Sequence, residues 1–126
     1  MKKLVKFVID RTKWSRGEES NNLMHSQKTG KSCCLGLFGE FCGVSKHYMT
    51  DKQTPREVNH FLKKSHKKVP SLFRKLLANL TQFNINTNLT NDKMRINDNR
   101  FITEIDREFA LKKLFRKIGV NLCFKN

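Results

Sequence analysis

The chain has 126 residues, a length that fits one domain with one modest core. It carries 26 Lys and Arg against 11 Asp and Glu, a formal net charge of +15 with His neutral. So large a charge on a small body repels itself and seeks polyanions. This disfavours an acidic nucleic-acid mimic and puts nucleic acid first among partners, ahead of an anionic membrane or an acidic protein.

In chain order, MKKLVKFVID opens like a secretory signal, but Lys6 interrupts the apolar run and Asp10 closes it. No stretch approaches a membrane-spanning length. The expectation is a cytoplasmic protein with reduced cysteines and no membrane contact. Residues 4–10 are short, apolar and β-branched and read as a strand. Residues 11–31 are polar and Gly-punctuated, a loop anchored by Trp14 with a helical turn near 21–26. Ser32 is placed to cap a helix over 33–42, which Gly43 would end.

Residues 54–66 stack three start signals: Thr54 as cap, Pro55 at the first helical position and Glu57 completing a capping box. Val58, Phe61 and Leu62 then share a face. Pro70 restarts the chain as a helix with Phe73, Leu76, Leu77 and Leu80 at helical spacing. The Asn-rich stretch 81–102 allows a short strand or hairpin near MRINDNRF. Thr103 and Asp106 open the clearest helix, whose stripe is Leu111, Leu114, Phe115 and Ile118 and whose stop is Gly119. Residues 120–125 alternate with period two, a half-buried strand whose natural partner is the N-terminal strand. The reading is a single α+β domain over 1–126, with the two terminal strands paired in a small sheet against three to four helices.

Three of the four cysteines fall in KSCCLGLFGEFCGV, residues 31–44. Structural zinc usually shows paired ligand groups, and no Cys-x-x-Cys is present. On a helix, Cys34, Leu37, Phe38, Phe41 and Cys42 form one apolar stripe, and reduced cysteine packs as a small hydrophobe. Core cysteines are therefore expected, with no metal or other cofactor; the lesser alternatives are a metal site in which His25 or His47 joins Cys33, and a disulfide or nucleophilic role. Gly36 and Gly39, inside this helix, each cost about 1 kcal/mol relative to Ala, which points to close approach of another element. TGKS at 29–32 echoes the end of a P-loop, but no glycine lies at the required distance before it.

The densest basic run is residues 60–75, with Lys63, Lys64, His66, Lys67, Lys68, Arg74 and Lys75 and no acid. A second group holds Lys2, Lys3, Lys6, Arg11, Lys13 and Arg16. A third, on the last helix, holds Arg107, Lys112, Lys113, Arg116 and Lys117. Any one run reads as a solvated helix face. Uncompensated elsewhere, they read as a polyanion footprint, with Arg11, Lys13, Arg16 and the 63–75 cations as its contacts. No sequence-reading nucleic-acid motif appears, so binding should be backbone-driven and salt-sensitive. Trp14 and Tyr48 could stack on bases, although packing is the plainer role for both, and the phenylalanines fall mostly on core faces.

An enzymatic alternative is metal-independent cleavage of tRNA or mRNA, which needs an acid, a base and a cation. His60 and His66 bracket the basic run but lie roughly 120° apart on a helix. No catalytic residue is assigned. Glu104, Asp106 and Glu108 read as first-turn charges favourable to the helix dipole.

A resemblance rests on Asp10-Arg11, Trp14, Arg16-Gly17-Glu18, Cys33-Cys34-Leu35-Gly36 and Cys42-Gly43-Val44. Near the end it adds Ile96-Asn97-Asp98, Arg107-Glu108, Leu114-Phe115, Gly119-Val120, Leu122 and Phe124. In these the chain resembles a scattered group of small, mostly uncharacterised phage and prophage accessory proteins, leaving 53–90 unmatched. The resemblance implies a compact protein acting in a bacterial host on host machinery, and supplies no catalytic residues. With the charge, it suggests an anti-CRISPR protein that docks on an RNA-guided CRISPR effector, as a monomer or weak dimer. The partner is then RNA or a nucleic-acid–protein complex.

Overall fold

The computed structural model describes residues 4–17, 23–79, 97 and 102–126. Two strands, β1 (Val5–Asp10) and β2 (Val120–Lys125), pair in parallel with Phe7 opposite Leu122 and Ile9 opposite Phe124. Between them in sequence lie α1 (Cys34–Cys42), α2 (Lys46–Met49), α3 (Pro55–Lys64), α4 (Ser71–Ala78) and α5 (Glu104–Arg116). This is the expected α+β fold, with the chain's two ends in one small sheet. The alternation of β1 and β2 buries Phe7, Ile9, Val120 and Leu122 on one face. That face meets α1 and α5, where Phe7, Phe38 and Phe115 form a three-ring contact with centroids 5.1–5.6 Å apart.

The helix signals act as read. Thr54 Oγ1 accepts the Glu57 N–H, and Thr103 Oγ1 accepts the Asp106 N–H. The return bond from Glu57 goes one residue upstream, where its carboxylate accepts the Gln53 N–H. Gly43, with φ +104°, ends α1 in a conformation that side chains rarely adopt.

Several expectations need correction. The α1 cap is Cys33 rather than Ser32, and its side chain makes no capping bond. The buried face of α1 is Cys34, Leu35 and Phe38, whereas Phe41 is 42% exposed and Leu37 and Cys42 are half-buried. The reason lies in the two glycines. A Cβ on Gly36 would stand 1.6 Å from the Met24 carbonyl oxygen, and one on Gly39 would stand 2.6 Å from Met49 Sδ. The glycine side of α1 is the side that neighbours press against, so the helix turns its larger residues partly outward. Cys33 and Cys34 are buried as expected, but Cys123 lies half-buried on the outer face of the sheet, opposite Val8.

The helical turn expected near 21–26 is not formed over 23–26. There His25 instead bridges to Thr50, and the helical turn of the loop is a 3-10 turn at Arg11–Lys13. The hairpin expected near 94–101 lies outside the described residues except for Asn97, which is helical and fully buried.

Candidate nucleic-acid interface

The sequence-predicted cations separate into two kinds once folded. Arg11, Arg16 and Arg107 are tied into the protein itself. Arg11 Nε and Nη2 reach both carboxylate oxygens of Glu108, at 2.7 and 2.8 Å. This fork raises the Arg11 pKa further. Arg16 lies 4.3 Å from the Trp14 ring centre, donates to the Trp14 and Arg11 carbonyls, and binds Glu104 Oε2 at 2.7 Å. Arg107, counted in the sequence as a surface cation of the last helix, is instead 4% exposed and pairs with Glu104 from inside. Glu104 and Glu108 are thus more than dipole charges: they clamp the loop after β1 onto α5.

Partial burial pushes the Glu104 carboxyl up, but the Arg16 and Arg107 guanidiniums outweigh it and hold it below the usual carboxylate range.

The second kind is gathered on α3, the turn after it, and α4. Lys63, Lys64, His66, Lys67, Lys68, Arg74 and Lys75 are all exposed. Among the described residues, none of the six Lys and Arg in this group has a carboxylate partner. Lys13 is exposed as well, on the 3-10 turn after β1.

Local geometry explains how the run is presented. Val58 and Leu62 of α3, and Phe73 and Leu76 of α4, are buried, so the lysines and arginine between them must face outward. After α3 the chain turns sharply. The Lys67 N–H donates to the Leu62 carbonyl and the His66 N–H to the Lys63 carbonyl. With His66 left-handed at φ +56°, this is a Schellman turn with histidine where glycine usually stands. It fixes the path of Lys67 and Lys68 relative to Lys63 and Lys64. His60 and His66 do not come together as a pair of catalytic groups would: His60 lines a surface groove beside α3, and His66 occupies the turn. Among the described residues, no group of three or more His, Cys, Asp or Glu is placed to hold a metal ion.

The structure also shows an aromatic cluster that the sequence reading missed. His47, Tyr48 and Phe61 approach with ring centres 5.1, 5.3 and 5.9 Å apart. Phe61, expected on the core face of α3, is half-buried, and Lys52 Nζ lies 4.8 Å from its ring centre. Trp14, by contrast, is fully buried and offers no ring face to a ligand. The sole signal for the cluster was His-Tyr at 47–48, in a segment too short to show a period. Among the described residues, no helix is long and apolar enough to cross a membrane. The chain matches no protein family, no curated protein and no solved structure.

Proposed function

We propose that this protein binds nucleic acid through the exposed α3–α4 cations, with RNA or an RNA–protein complex as its target. The observation that carries this reading is the exposed group Lys63, Lys64, Lys67, Lys68, Arg74 and Lys75, without a carboxylate partner among the described residues, on a chain of net charge +15. Counterion release from phosphates then drives binding without base readout. Arg11 and Arg16, engaged with Glu108 and Glu104, serve mainly to hold the fold, with Lys13 as an outlying contact. The resemblance to phage accessory proteins, joined to this charge, supports a biological setting: inhibition of a host nucleic-acid machine such as an RNA-guided CRISPR effector. The same cations would engage its guide RNA, or an acidic groove that normally receives nucleic acid.

The test is fluorescence anisotropy of a labelled RNA oligonucleotide across a salt series. Contact with about six phosphates predicts a slope near −4 in log K against log salt. Lys63→Glu/Lys64→Glu/Lys67→Glu/Lys68→Glu should abolish binding while the far-ultraviolet circular dichroism is retained. An absence of binding at 50 mM salt, or binding that ignores both salt and these substitutions, refutes the reading.

A further inference from the structure

We propose that the Tyr48–Phe61 wall is a stacking site for two adjacent unpaired bases, so that the preferred ligand is single-stranded nucleic acid rather than a duplex. The proposal rests on the polyanion reading above and adds to it the form of the ligand. Each of the two rings lines a surface hollow. One, of about 210 Å³, is lined by Tyr48 with Val44, Leu62, Lys67 and Lys68. The other, of about 540 Å³, is lined by Phe61 with Lys52, Arg56, His60 and Lys64. The two rings stand 5.3 Å apart at an interplanar angle of 60°. Each hollow therefore pairs an aromatic ring with cations, and a base stacking on Phe61 takes the place of Lys52 Nζ, which lies over that ring at 4.8 Å.

That combination suits a single strand for a physical reason. In a duplex the base faces are covered by their neighbours, and a protein meets phosphates and groove edges. In a single strand each base offers a π-face, and stacking on an aromatic ring contributes about 1–3 kcal/mol per base whatever the sequence. The smaller hollow is below the ~300–1,000 Å³ of ordinary small-molecule pockets and fits one flat ring. Lys67 and Lys68 at its edge, and Lys64 at the other, stand where the backbone phosphates of such a strand would run.

The larger hollow also contains the carboxylates of Asp51 and Glu57, which oppose a phosphate there. Both are held by backbone: Asp51 accepts the Gln27 N–H at 3.4 Å, and Glu57 accepts the Gln53 N–H at 3.3 Å. Their remaining lone pairs suit the exocyclic amine of cytosine or adenine. The acids thus direct a base, and not a phosphate, into the Phe61 side.

The test compares a 12-nucleotide RNA with its duplex, and adds the same strand carrying 5-iodocytidine for photocrosslinking. Tyr48 is the only tyrosine in the chain, so a crosslinked peptide containing it is unambiguous. The expected result is crosslinking to the peptides bearing Tyr48 and Phe61. Tyr48→Leu and Phe61→Leu should each weaken single-strand binding about tenfold and leave duplex binding within about twofold, while Tyr48→Phe retains wild-type affinity. The photocrosslink, read on the wild-type protein, keeps the proposal testable if a leucine variant does not fold. Equal loss for strand and duplex, or crosslinks confined to other peptides, overturns the stacking site and leaves the polyanion reading standing. If the wild-type protein binds neither ligand, the polyanion reading fails and the stacking site with it.

Discussion

The indole N–H of Trp14 donates to Asn97 Oδ1 at 2.8 Å, across 83 residues of sequence and in a fully buried site. The same oxygen accepts the Cys34 N–H at the start of α1, and the Asn97 side-chain nitrogen donates to the Ser15 carbonyl. Asn97 therefore supplies the helix cap that Cys33 lacks, and joins α1 to the loop after β1. Asn97→Leu removes these three buried hydrogen bonds and should cost roughly 2–4 kcal/mol. A fall in the urea midpoint with a red-shifted emission of the single tryptophan would register it. An unchanged midpoint would contradict the role.

Gly36→Ala should be more damaging than Gly39→Ala. The first Cβ meets a backbone carbonyl that cannot step aside, whereas the second meets the flexible end of Met49. Overpacking of this kind costs about 1–3 kcal/mol, and a backbone clash at 1.6 Å lies at or above the upper end. Chemical denaturation of both variants checks the order.

His66→Gly should stabilise the protein by about 1 kcal/mol, because glycine takes the left-handed position of a Schellman turn without steric cost. The thermal midpoint would rise by several degrees. RNA affinity should stay within about twofold if His66 contributes to binding mainly through the turn it shapes; a large loss would assign it a direct contact.

Stability should decline as pH falls. Burial pushes the His25 pKa down from its ordinary 6.5, aided by Lys46 and opposed by Glu40 and Asp51. Because the folded value is depressed, the unfolded chain takes up a proton first, and stability present above pH 6.5 is lost below it. His25→Gln should flatten that step. Glu104, held down by Arg16 and Arg107, and Asp10, held down chiefly by Thr12, add a second decline below about pH 4.5. Urea midpoints from pH 4 to pH 8 would show both steps, and a maximum near pH 5 would contradict the first.

The thiols of α1 should be inert in the native state. Cys33 and Cys34 are buried, and burial pushes the Cys42 pKa up to about 12. At pH 8 its thiolate fraction is then about one in ten thousand. Titration with a disulfide reagent should leave these three unmodified over minutes in buffer and modify all four cysteines in denaturant. Rapid native modification of Cys42 would contradict this.

Most helix and strand signals were readable from neighbouring residues alone. Thr54, Pro55 and Thr103 start their helices, Gly43 ends α1, and the period-two pattern of 120–125 makes a strand; α5 ends earlier than its glycine, at Arg116 with Lys117 as cap, and Gly119 lies in the turn before β2. These are short-range effects of capping, φ restriction and apolar spacing, all carried by residues within one turn of each other. The excess charge is likewise a property of composition, and so the candidate surface at 63–75 was legible. The remaining features depend on partners far apart in the chain. Arg11, Arg16 and Arg107 look like Lys63 or Lys67 in sequence, yet Glu108 and Glu104, about a hundred residues from the first two, draw them into ion pairs. Phe61 keeps a helical core period and still lies half-exposed, because α2 brings Tyr48 and His47 beside it. A charge or ring is assigned to the interior or the surface by what the fold places against it, and no local spacing records that.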